Sequence, residues 1–193
     1  MILAAKVLPN RDDCSKWKTS KDGGFTVKEV RKTISSELDL NVALDNFWRN
    51  KAVTPEVNMF FWKAKDGKIP SARALEKRGI RGLNTTCSMC GSGVDDSKHI
   101  LVKCQATNEV WKQILWWLKL PLSQQIYTVK YLLQTVGELG LSKKRADVIH
   151  AVFSQTMRSL WNARNRKVFE GKRMCTYKVV EEIKENSFEW ITN

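Results

Sequence analysis

Apolar residues recur along this chain at helical spacing. Val57, Phe60, Phe61 and Ala64 stand at i, i+3, i+4 and i+7, the stripe of a helix buried on one face. Thr54 is placed to cap that helix, Pro55 suits its first position, and Asp66-Gly67 ends it. Ser71 precedes a second helix, Ala72 to Arg78, stopped by Gly79. Val110, Ile114 and Leu118 mark a helix from about Asn108, and Val129 to Val136 is helical in pattern. Ala146 to Phe169 is long and periodic through Ile149, Phe153, Met157, Leu160, Trp161 and Val168. A last helix uses Tyr177, Val180, Ile183 and Ile191.

The pattern changes before position 50. Residues 1–14 have no periodicity and are expected to be a leader or a truncated end. Over 15–27, Trp17 and Thr19 alternate with lysines, Lys21-Asp22-Gly23-Gly24 offers a turn, and Phe25-Thr26-Val27 resumes extended, which predicts a β-hairpin. Short helices are expected from Lys28 to Leu38 and from Leu44 to Asn50. The expected fold class is therefore mainly α with a small N-terminal β-hairpin, a domain over 15–120 and a helical C-terminal region over 121–193.

Composition narrows the class. The 193 residues are 42% hydrophobic and 27% charged, a globular balance. Uncharged runs such as Val148 to Met157 are about half of a membrane span, so no membrane partner is expected. The opening Met-Ile-Leu-Ala-Ala is short and Lys6 follows it, which is not a secretory signal. An intracellular place, nuclear or cytoplasmic, is expected, where five cysteines do not form a disulfide framework.

Charge adds a partner. Lys+Arg number 33 against 20 Asp+Glu, a net +13, which favours a polyanion and makes RNA or DNA the expected partner. From Leu141 to Lys178 ten Lys/Arg face two acids, and from Val179 to Asn193 four acids face one lysine. Arg164, Arg166, Lys167, Lys172 and Arg173 cluster around one helix end and are the candidate phosphate contacts. The same cations would also complement a solvated helix C-terminus.

The sharpest chemistry is Cys87-x2-Cys90-x8-His99-x4-Cys104. A Cys-x-x-Cys pair alone also fits a redox couple or ordinary buried thiols. Three of five cysteines and one of two histidines within eighteen residues point instead to one structural zinc ion. Four protein ligands close a tetrahedron and leave no position for a catalytic water. Cys14 and Cys175 are left as free thiols. His150 sits beside Ile149 on an apolar helix and is expected to be structural, with no nucleophile and orienting carboxylate at contact spacing. Trp48, Trp62, Trp117 and Trp161 are assigned to the core, while Trp111 and Trp116 are the candidates for stacking on bases.

From about Trp17 to Leu118 the chain resembles the reverse transcriptase zinc-binding domain of plant non-LTR retrotransposons. The resemblance is carried by Gly24 to Lys28, Pro55 to Ala64, Gly67 to Ser71, Arg78-Gly79-Ile80, Cys87, Cys90-Gly91, His99-Ile100-Leu101, Cys104 and Val110-Trp111. Leu160 to Phe169 resembles a Trp-x-x-Arg-Asn segment found downstream of the zinc domain in those polyproteins. The resemblance implies a nucleic-acid-binding accessory in reverse transcription and integration, with a reverse transcriptase or another protein as a further partner. It does not bring an enzyme with it. Asp12-Asp13 and Asp95-Asp96 lack the aromatic context of a polymerase metal site, and the 24 residues after Phe169 are too few for a ribonuclease H fold. The expectation is a fragment, or a gene descended from one. A zinc-stabilised protein-interaction scaffold without nucleic-acid binding, or a decayed retrotransposon fragment, stand as alternatives.

Overall fold

The computed structural model describes residues 26–27, 50, 53–120 and 128–192. These are mainly helical: α1 (Pro55–Lys65), α2 (Ala72–Lys77), a π-helical turn (His99–Lys103), α3 (Gln105–Trp117), α4 (Val129–Glu138), α5 (Lys143–Glu170) and α6 (Thr176–Thr192). Residues 46–193 form one compact unit and residues 1–45 another, of which only Thr26 and Val27 are described.

The expected hairpin over 15–27 lies outside the described residues except at its last two positions, where Val27 is helical and not extended. Among the described residues the β pairing is one isolated antiparallel bridge, Thr86 with Val94. The helices expected from Lys28 to Leu38 and Leu44 to Asn50, together with Trp48 and Cys14, also fall outside, apart from a non-helical Asn50.

Helix α1 buries the stripe its spacing predicts, Val57, Phe60, Phe61 and Ala64, with Pro55 in its first turn. Thr54 holds the extended cap backbone but its side chain makes no capping bond, whereas Ser71 caps α2 by accepting from the Ala74 amide at 3.3 Å. Helix α3 starts at Gln105, ahead of its apolar stripe. Thr107 is fully buried and its hydroxyl donates to the Cys104 carbonyl at 2.9 Å, so a polar residue occupies the stripe's first position.

Helix α5 is the axis of the unit. From Ile149 to Arg164 every residue except Arg158 and Asn162 is buried, so the helix is enclosed all round. It packs against α1, α4, α6 and the π-turn, and α6 also packs on α3. Trp111 meets Phe153 edge-on at 5.4 Å, and Phe60 lies 6.2 Å from Trp161. Each such buried side chain contributes about 1.5–3 kcal/mol. Helices on both sides of position 120 thus pack together within that unit. On α6 the buried face is Val179, Val180, Ile183 and Ser187, while Tyr177 is exposed. Among the described residues no helix is long and apolar enough to cross a membrane.

Candidate metal centre and the basic face

Between α2 and α3 the chain folds into a knuckle. The Cys87 amide donates to the Gly93 carbonyl at 3.0 Å and the Asp95 amide to the Thr85 carbonyl at 2.7 Å, pairing the two arms of the loop. Inside the turn the Gly91 amide donates to the Cys87 carbonyl at 2.9 Å, which holds Cys87 and Cys90 on one side. The second ligand pair stands five residues apart. In an α-helix, at about 100° per residue, such positions diverge by about 140°. Here the Cys104 amide bonds the His99 carbonyl at 2.8 Å, an i→i+5 closure that widens the turn and aims both side chains at the knuckle. Asp96 fixes the start of this turn by accepting from the His99 amide at 2.8 Å.

The ligand atoms of Cys87, Cys90, His99 and Cys104 lie within 4.8 Å of one another. Sγ of Cys87 and of Cys104 are 3.9 Å apart, and Cys90 Sγ is 3.3 Å from His99 Nε2. Thiolates bound to one zinc ion at about 2.3 Å stand about 3.8 Å apart in a tetrahedron, so the donor set and its spacing fit zinc. The sulfur separation also excludes a disulfide, whose bond is about 2.05 Å. The Cys104 thiol donates to Cys87 and holds it as a thiolate, its pKa down to about 5 against the opposing effect of burial. Amides of Cys90 and Met89 donate to the same sulfur. Cys104 is pushed up by that bond, by burial and by the neighbouring charge.

Gly93 closes the back of the site. It has φ +77°, and a Cβ there would stand 2.5 Å from His99 Cε1. Asp95 ties the knuckle to the helical body. Fully buried, it accepts from the Ala72 amide at 2.8 Å, and Arg164 grips it with Nε at 2.9 Å and Nη2 at 2.6 Å. Arg164 also lies 5.2 Å from the Trp161 ring.

Of the five cations expected at phosphates, Arg164 is therefore turned inward and spent on Asp95, and is not a surface contact. Arg166 is half-buried and pairs with Glu182 at 3.4 Å, Lys172 is exposed and pairs with Glu170 at 2.6 Å, Arg173 is exposed and Lys167 half-buried. Arg166, Lys172 and Arg173 come together with Lys178 around a groove of about 480 Å³ between α5 and α6. Trp111 is buried and donates to the Leu101 carbonyl at 2.7 Å, so it cannot stack on a base, whereas Trp116 is exposed. Trp161 is core; Trp62 and Trp117 are only half-buried. His150 is buried, and burial pushes its pKa down to about 4.

Sequence reasoning missed Asp95 and Asp96 as parts of the site. Asp96, three residues before His99, carried a readable capping signal. The partner of Asp95 lies 69 residues away, so no local signal existed.

Residues 25–111 match the family described as zinc-binding in reverse transcriptase. No curated protein and no solved structure gives a significant match. The matched stretch includes Cys87, Cys90, His99 and Cys104, and match and cluster together support a zinc-binding module in this part of the chain.

Proposed function

We propose that the chain is a non-catalytic, zinc-stabilised module that binds RNA or DNA, descended from the reverse transcriptase of a plant non-LTR retrotransposon. The zinc it would hold at Cys87, Cys90, His99 and Cys104 is structural, because four protein ligands leave no open position. The Asp95-Asp96 pair is used as an anchor and a cap, which supports a non-catalytic reading. The observation that carries nucleic-acid binding is the convergence of Arg166, Lys172, Arg173 and Lys178 on one groove, on a chain of net charge +13. Cations held together at a concave surface neutralise adjacent phosphates and release their counterions.

The test is a salt series of binding to single- and double-stranded RNA and DNA. Reversing Arg166, Lys172 and Arg173 to Glu should weaken binding to every sequence alike and lower the log–log salt slope by roughly one per lost contact. Reversing Lys143, Lys144 and Arg145, in the first turn of α5, is the control. Equal losses from the two triple variants would show that net charge alone attracts the ligand. No binding at low salt would remove the reading.

A further inference from the structure

A second groove, of about 580 Å³, lies between the last turns of α5 and the chain from Pro70 to Ser88, beside the metal knuckle. Its apolar lining includes Leu75, Leu83, Trp161 and, at the end of α5, Val168 and Phe169. Phe169 is 78% exposed, an unusual position for a phenylalanine that has a core beside it. Lys167, Asn165 and Asn84 supply polar groups to the same groove. The acid in its lining, Asp95, is buried and neutralised by Arg164, so the groove presents no negative charge of its own. The flank is cationic. From Ala72 to Asn84 stand Arg73, Lys77, Arg78 and Arg81 against a single acid, Glu76, which pairs with Arg73. Lys77, Arg78 and Arg81 are exposed, with no acidic partner among the described residues.

An apolar peptide would gain nothing from this rim, and a cationic one would be repelled. A single nucleic-acid strand matches both parts, since it alternates a phosphate with a flat apolar base that an exposed aromatic ring can receive. In a duplex the bases are stacked inside and Phe169 could not reach one. We infer that this groove takes a base of a single-stranded RNA or DNA, stacked on Phe169, with its flanking phosphates on Lys167 and the Lys77–Arg81 rim. Asn165 Oδ1 is engaged by Arg164 at 3.1 Å, which leaves its amide nitrogen to donate to a base edge. The inference rests on the proposed nucleic-acid binding and adds to it a preference for single strands and the residue that confers it.

The experiment measures anisotropy of a labelled single-stranded oligothymidylate, an oligouridylate and a mixed-sequence duplex on the zinc-loaded full chain. Phe169→Ala should weaken single-strand binding roughly tenfold, leave the salt slope unchanged and leave duplex binding unchanged. Phe169→Trp should retain or strengthen it, and Lys167→Gln should lower the slope by about one. Because Phe169 is exposed, thermal midpoints of these variants should match the parent and exclude a folding effect. Unchanged single-strand affinity in Phe169→Ala, or an equal loss on the duplex, overturns the stacking site. That result leaves the broader reading standing if the Arg166, Lys172 and Arg173 reversal still weakens binding. A parent protein that binds no nucleic acid overturns both, and an acidic peptide that occupies the groove in its place would assign it to a protein partner.

Discussion

From Asn84 to Lys98 only Cys87, Asp95 and Ser97 are buried, whereas from Ile149 to Arg164 nearly every residue is. The knuckle therefore has no apolar core of its own, and the few backbone hydrogen bonds across its loop cannot replace one. A metal held by Cys87, Cys90, His99 and Cys104 would do for it what Phe153, Met157 and Leu160 do for the long helix. The two regions are nonetheless not independent. The π-turn that presents His99 and Cys104 also carries Ile100, Leu101 and Val102, all fully buried, and it packs on α5. The candidate metal site and apolar burial thus meet at one five-residue turn, through which a failure in one region can spread into the other.

The largest effect should come from the metal. Protein purified without chelator should carry one zinc per chain, and Cys90→Ser should lose it. Small structural zinc modules draw on the order of 10 kcal/mol of apparent stabilisation from the ion. Hydrogen exchange should accelerate across residues 84–104 first. The effect should then reach Trp111 and Phe153, because Leu101, whose carbonyl receives the Trp111 indole, sits on the same turn. Metal-free protein in which α5 keeps its full protection would show that the helical body stands alone, as its apolar stripes by themselves suggest.

Next in size is the Asp95–Arg164 pair, the polar link between the regions. Asp95→Ala strands a buried guanidinium and should cost about 3–5 kcal/mol by denaturant unfolding. Replacing both residues, Asp95→Ala with Arg164→Met, should cost less than Asp95→Ala alone, because no unpaired charge remains. Additive losses would mean the two side chains are not coupled in solution.

The helices are legible in the sequence because their stripes are apolar. Val57, Phe60, Phe61 and Ala64 are buried as their spacing requires, and so are Ile149, Phe153, Met157 and Leu160. The four candidate ligands are legible because zinc restricts residue type and spacing together, and the fold brings their ligand atoms close to one another. What the sequence hides has a common cause. Thr107, Ser159 and Arg164 are polar residues on buried faces, satisfied by a carbonyl, by Gln155 and Glu182, and by Asp95 respectively. Periodicity classes such residues as surface, which is why it places Arg164 among the phosphate contacts and starts α3 late. Val168 shows the converse, an apolar residue in phase with the stripe but 42% exposed where the helix outruns its neighbours.

The buried histidine of α5 offers a test confined to the helical region. In the unfolded chain its pKa is about 6.5, and burial lowers it to about 4 in the fold. The unfolded state therefore binds more protons between these values, so stability is fully present above pH 6.5 and declines as pH falls towards 4. The share belonging to His150 amounts to ~3 kcal/mol at most. Unfolding of the parent and of His150→Leu should diverge in pH dependence over that window. Parallel curves would place the histidine in solvent.

The smallest expected effect is the most local, and it isolates the knuckle. Gly91 and Gly93 both have left-handed backbone, φ +72° and +77°, so alanine at either incurs the same conformational strain, about 1–2 kcal/mol. They differ in what a Cβ would meet. At Gly91 nothing lies within 4 Å, while at Gly93 the new carbon would be 2.5 Å from His99 Cε1 and 2.9 Å from Nδ1. The imidazole would have to turn, and Nε2 would leave its place 3.3 Å from Cys90 Sγ. Gly93→Ala should therefore lower zinc affinity about 10–100-fold, the usual result of disturbing a ligand's support. Gly91→Ala should lower it far less. Competition with a chromophoric chelator reads both, and helical circular dichroism should stay the same while zinc is saturating. Equal losses from the two variants would mean that backbone strain alone sets the affinity, and that contact between Gly93 and the histidine ring contributes nothing to holding the metal.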